Sequence, residues 1–133
     1  YPDAIPCLRA LRAAGYRIGI AGNQPEEAEA ALEATGVGAD FIASSARWGV
    51  EKPSAAFFDK VVEAAGAPAA AIAYVGDRLD NDILPALAAG MVAVFIRRGP
   101  WGVIHAGHPD AARAHLRLER LDELIPALAG FPR

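Results

Sequence analysis

The sequence predicts an α/β fold: a parallel sheet with helices on both faces. Three observations carry this. Short apolar β-branched runs alternate with helical patterns almost from end to end, the signature of βα units and a parallel sheet. The run Ala73-Tyr74-Val75 ends in Gly76-Asp77, as a buried strand does on leaving a sheet. Met91 to Ile96 is the most continuous apolar strand of the chain.

The elements follow in order. Asp3 is placed to cap a helix running to about Ala14, with Ile5, Leu8 and Leu11 at helical spacing and Gly15 as its stop. Tyr16 to Ala21 reads as a strand, followed by the loop Gly22-Asn23-Gln24-Pro25. Pro25 suits the first turn of the next helix, and Glu26, Glu27 and Glu29 lie near its positive end. That helix ends at Gly36. Asp40 to Ser44 is a short strand, and a loop through Trp48 and Lys52-Pro53 leads to a helix of about Ser54 to Ala65, capped by Ser54. Ala71 to Val75 is a strand, Asn81 to Ala89 a helix, and Met91 to Ile96 a strand. A Gly- and Pro-rich loop is expected from Arg97 to about Asp110, then a short strand near His115 to Leu118 and a last helix from Leu121 to Leu128. No internal repeat, linker or second domain is visible, so residues 1–133 read as one domain.

Bulk properties narrow the function. The chain of 133 residues is 53% hydrophobic, long enough for a real core, and no apolar run approaches a membrane span. A net charge of −3 offers no basic patch for nucleic acid. Neither a membrane nor a nucleic-acid partner is expected. Cys7 is the only cysteine, so no disulfide forms within the chain, and on an apolar helix face it reads as core. There is no signal-peptide pattern, and a cytoplasmic setting is expected. The chain begins Tyr1-Pro2-Asp3 rather than with Met, so it is expected to be cut from something longer.

Candidate chemistry falls on three strand-to-helix loops, which in a parallel sheet share the carboxyl edge. The first holds Gly22 and Asn23, whose backbone N–H groups suit an anion. The second holds Lys52, a point charge suited to phosphate. The third holds Asp77, Asp80 and Asp82. Two readings fit that third run: hard oxygen ligands for Mg²⁺, or a solvated acidic turn capping the helix near Asp80. Together the three loops supply an anion cradle, a cation and a metal site, the parts of a phosphoryl-transfer site other than its nucleophile.

The order and spacing of these loops resemble the haloacid dehalogenase superfamily. Ile18-Gly19-Ile20-Ala21-Gly22-Asn23 is similar to its second motif, Lys52-Pro53 to its third, and Gly76-Asp77 with Asp82 to its fourth. Ala88-Ala89-Gly90-Met91 also fits. The resemblance implies a Rossmann-like core and a Mg²⁺-dependent hydrolase of a small phosphomonoester, closer to the phosphatase branches than to the dehalogenases. It implies that Lys52 steadies nucleophile and phosphate charge, that Gly22 and Asn23 bind the phosphoryl group, and that Asp77 binds Mg²⁺. Asp82 would hold metal water or Lys52.

Two departures stand out. Gly22 replaces the usual Ser or Thr of the second motif; a lost hydrogen bond to a charged group costs about 1.5–3 kcal/mol. The first motif, Asp-x-Asp, which supplies the nucleophile, has no match near the start of the chain. In the family that motif ends the strand between those near residues 18 and 73. Its absence leaves a gap of roughly 9–10 Å and unpaired strand edges, through which self-association or strand exchange is expected. No cap domain fits between Gln24 and Lys52, so any cap is expected upstream of Tyr1.

The remaining candidates have plainer readings. His105, His108 and His115 lack a spacing that puts two ligands on one helix face and read as surface or loop residues. Trp101 would line a substrate entrance or, preferably, pack its loop; Trp48 likewise packs. Arg78 would reach phosphate or neutralise its acidic neighbours. The competing functional class is a non-catalytic binding or interaction module, favoured by Gly22 and the missing nucleophile and disfavoured by the retained charge cluster. A phosphate-accepting receiver domain ranks below both, because its acid pair precedes its lysine.

Overall fold

A computed structural model describes residues 3–130 of the chain. It contains α1 (Ala4–Ala13), β1 (Gly19–Gly22), α2 (Glu27–Ala34), β2 (Phe41–Ser44), α3 (Ser45–Trp48) and α4 (Ala55–Ala65). Then come β3 (Ala73–Gly76), a π-helical turn (Leu79–Ile83), α5 (Leu84–Ala88), β4 (Val92–Ile96), α6 (Gly99–Ala106), β5 (Leu116–Leu118) and α7 (Leu124–Ala129). The expected α/β alternation holds, and every strand pair is parallel. The chain divides after Ala65 into two compact units.

In the first unit β1 pairs with β2, Gly19 opposite Phe41 and Gly22 opposite Ser44. Gly19 is needed for this register: a Cβ there would overlap the Phe41 ring. Phe57 and Phe58 on α4 are fully buried and meet edge to face at 5.4 Å. Each contributes about 1.5–3 kcal/mol by leaving water. Ser54 caps α4 as expected, accepting from the Ala56 N–H at 3.2 Å. Asp3 precedes α1, but its side chain makes no cap hydrogen bond. The short α3 was not expected; Ser44 caps it, its Oγ accepting from the Arg47 N–H at 3.2 Å, and Gly49 ends it with a left-handed φ of 71°.

Two carboxylates tie this unit together. Glu29, expected near the positive end of its helix, lies in the first turn of α2 and is buried, where it accepts from the Ser44 hydroxyl and pairs with Arg47. Asp40 accepts from the Ile18 N–H at 2.7 Å and from Arg12 at 3.2 Å. That backbone N–H, followed by the nearby Arg12 charge, holds the Asp40 carboxyl below its ordinary range. A depressed folded-state pKa contributes stability that is present above the unfolded value and is lost as pH falls through the folded one. Asp40→Asn is therefore expected to flatten part of the loss of melting temperature on acidification through the carboxylate range. Parallel curves for the two proteins would contradict this.

In the second unit the strand order is β3-β4-β5. β4 is the buried centre, with Ala93, Val94, Phe95 and Ile96 all in the core, which is why Met91–Ile96 reads so clearly as a strand. Among the described residues β1 is paired on one edge only, and so is β3. Cys7, expected in the core, is half-buried. No helix among the described residues is long and apolar enough to cross a membrane.

Candidate functional site

The first unit brings Gly22, Asn23 and Lys52 together. Asn23, just beyond β1, grips the backbone of Lys52 from both sides. The Lys52 N–H donates to Asn23 Oδ1 at 2.8 Å, and Asn23 Nδ2 donates to the Lys52 carbonyl at 3.1 Å. The amide of Asn23 is thus committed to the lysine loop, and what it leaves for an anion is backbone. The Lys52–Pro53 peptide is cis. The same loop is tied to α3: the Gln24 N–H donates to Ser45 Oγ at 3.1 Å and the Ala46 N–H to the Gln24 carbonyl at 3.3 Å. Trp48 packs edge-on against Phe57 at 5.2 Å, anchoring the far side of the lysine loop on α4. At Gly22 a Cβ would meet only the Gln24 side chain, at an ordinary 3.6 Å.

The second unit places Asp77, Asp80 and Asp82 at the end of β3 and sorts them into different roles. Asp82 is 4% exposed and folds back under the strand end, where its Oδ2 accepts from the Arg78 N–H at 3.2 Å. Gly76 makes room for it: a Cβ there would overlap the Asp82 side chain. The Asp82 charge adds to burial in raising the pKa of the Tyr74 phenol. Asp80 turns outward to Arg78, which grips both its oxygens at 3.0 and 2.7 Å. That pairing, chiefly the Arg78 hydrogen bonds, lowers the Asp80 pKa and raises that of Arg78. Arg78 is here the partner of an acid. Asp77, directly after the strand, is the third.

Between Arg78 and α5 the backbone widens into the π-helical turn Leu79–Ile83, which takes the place of the first turn of the helix expected from Asn81 to Ala89. The Asp82 and Ile83 N–H groups both donate to the Arg78 carbonyl, at 3.0 and 3.1 Å. Such turns recur at functional sites. A second difference lies in the expected Gly- and Pro-rich loop, most of which is helix α6. Pro100 falls in its first turn, where the missing N–H costs nothing. Gly102 is buried where a Cβ would crowd the Arg97 backbone at 3.1 Å. α6 carries Trp101 and His105, which contact the acidic turn: the Arg78 guanidinium lies 4.3 Å from the Trp101 ring centre, and His105 Nδ1 accepts from the Leu79 N–H at 2.9 Å.

A Mg²⁺ ion fits this donor set. It is commonly held by one or two carboxylates, with water and substrate oxygens completing its octahedron, and Asp77 and Asp82 are carboxylates at the end of β3. Among the described residues no group of three or more His, Cys, Asp or Glu side chains forms a ready-made cage.

The family model for haloacid dehalogenase-like hydrolases matches residues 1–90. The chain is 40% identical over 108 residues to a glyceraldehyde 3-phosphate phosphatase of Methanopyrus kandleri, covering 76% of this chain and 45% of that protein. It superimposes on a HAD phosphatase structure from Thermococcus onnurineus with a TM-score of 0.81 and 32% identity, over 98% of this chain and 58% of that one. A 2-haloacid dehalogenase from Pseudomonas syringae gives a TM-score of 0.71 and 26% identity, over 97% and 53%. The chain belongs to the haloacid dehalogenase-like hydrolase family, as its motifs led us to expect. It spans about half the length of the curated relatives it matches.

Proposed function

We propose that these residues form part of a Mg²⁺-dependent phosphatase core acting on a small phosphomonoester, with the nucleophilic aspartate supplied from outside residues 1–133. The observation that carries the reading is the two-way grip of Asn23 on Lys52. It fixes the backbone of a cationic residue beside a loop whose N–H groups can receive an anion, an arrangement suited to a phosphoryl group. The resemblance to a 40%-identical phosphatase supports the same class.

In this reading the Gly22 and Asn23 N–H groups take phosphoryl oxygens and the Lys52 ammonium steadies the charge shared by nucleophile and phosphate. Asp77 is a metal ligand. Asp82 holds the turn in shape and stands second in line as a ligand. Bound Mg²⁺ would neutralise charge on the phosphoryl group and the attacking carboxylate.

Gly22, which lacks a hydroxyl, favours the rival reading of a non-catalytic module. It also provides a test, because a Cβ is accommodated there. Gly22→Ser is expected to raise turnover of the native polypeptide that contains these residues by about one to two powers of ten. Unchanged or lower turnover with an intact fold would remove Gly22 from the phosphoryl contact.

The reading itself is tested by assaying that polypeptide against small phosphomonoesters, glyceraldehyde 3-phosphate among them, and against 2-haloacids. Phosphate release without halide release is expected. Halide release would move the chain to the dehalogenase branch, and release of neither would favour the binding module.

A further inference from the structure

We propose that His105 is a positioning residue for the Asp77–Asp82 turn and that through it α6 sets how tightly the turn holds a divalent cation. This rests on the assignment of Asp77 as a metal ligand.

A helical turn begins with N–H groups that have no partner inside it. Here the first is that of Leu79, a residue only 4% exposed. The local sequence provides no cap: Arg78 precedes the turn and its side chain makes no cap hydrogen bond. The partner comes from 26 residues further on, where His105 Nδ1 accepts at 2.9 Å. To accept, Nδ1 must present its lone pair, so the ring proton of the neutral imidazole sits on Nε2.

Trp101 lies one helical turn before His105, on the same face of α6. Its ring centre is 5.4 Å from that of His105 and 4.3 Å from the Arg78 guanidinium. α6 therefore touches the acidic turn at two points, the Leu79 amide and the Arg78 side chain. Arg78 in turn holds Asp80 by both oxygens. The brace thus fixes the backbone two residues beyond Asp77 and keeps Asp80 drawn toward Arg78. Outer partners that orient a ligand-bearing segment typically govern metal affinity by about 10–100-fold, and an indirect brace belongs at the lower end.

Calorimetric titration of the native polypeptide with Mg²⁺ in the absence of substrate tests this, with melting temperatures measured without metal. Asparagine carries its Oδ1 on Cγ, where histidine carries Nδ1; glutamine carries its oxygen one bond further out. His105→Ala and His105→Gln are expected to weaken Mg²⁺ binding about tenfold, and His105→Asn to stay within about twofold of the parent. Should the alanine variant fail to fold, the contrast between the asparagine and glutamine variants decides. Equal Mg²⁺ affinity for those two, or for His105→Ala and the parent, would overturn the positioning role. Asp77→Asn is the control: if it alone loses Mg²⁺, the ligand assignment stands and the brace falls. If it keeps parental affinity, the ligand assignment fails and this inference fails with it.

Discussion

Lys52→Ala is expected to lower phosphate release by the native polypeptide about a hundred- to a thousandfold, the usual cost of removing a donor aimed at developing charge. The backbone from which its side chain starts is held at 2.8 and 3.1 Å by Asn23, so the ammonium is delivered from a fixed point. The loss should fall mainly in kcat, because charge builds up on the phosphoryl group and leaving group as the reaction proceeds. Arginine should rescue poorly: its planar fork is longer and broader than a compact ammonium. Asn23→Ala keeps the charge but frees the loop, and its loss should lie between those of the parent and Lys52→Ala. Steady-state kcat and KM for the three variants check this. A Lys52→Ala enzyme with parental kcat would remove the lysine from the chemistry.

Asp77→Asn is expected to cost at least about a thousandfold, equivalent to the several kcal/mol a metal ion contributes to charge stabilisation. Asparagine keeps shape and one oxygen but gives up the negative charge that attracts the cation. Asp80→Asn is the matched contrast, three residues further along the same turn. Asp80 is spoken for by Arg78 and is about half exposed, so its loss should change turnover less than about threefold, as surface pairs contribute little. The Mg²⁺ dependence of turnover in the two variants separates them. A severe defect in Asp80→Asn with near-normal Asp77→Asn would reverse the assignment.

The parts of the molecule legible in sequence are those written locally. Val92–Ile96 is a run of apolar residues that only a buried strand accommodates. Gly76-Asp77 marks the strand end because a residue with a side chain would collide with Asp82. Lys52-Pro53 and Gly22-Asn23 stand out through their order along the chain. What escaped notice depends on partners far apart in sequence. The role of the Asn23 side chain is one example: its amide is taken by the backbone of Lys52, 29 residues on, which leaves only the backbone N–H facing an anion role. His105 looks like a loop residue until the Leu79 N–H is seen to need an acceptor. α6 was obscured because Gly99-Pro100-Trp101-Gly102 carries two glycines and a proline; Pro100 serves the first helical turn, and Gly102 answers to the nearby Arg97 backbone. The π-helical turn leaves no pattern at all, since its widening is set by the carbonyl of Arg78 receiving two N–H groups. Glu29 follows the helix-start rule for acids, yet its burial is decided by Ser44 and Arg47.

The decisive measurement is phosphate release from an aryl phosphate by the native polypeptide and by residues 1–133 alone, each with Mg²⁺ and with the metal chelated. The expected result is turnover by the native polypeptide that requires Mg²⁺ and disappears on chelation, and no turnover by residues 1–133. Turnover by residues 1–133 alone would contradict the external nucleophile, and turnover unaffected by chelation would contradict the metal site at Asp77.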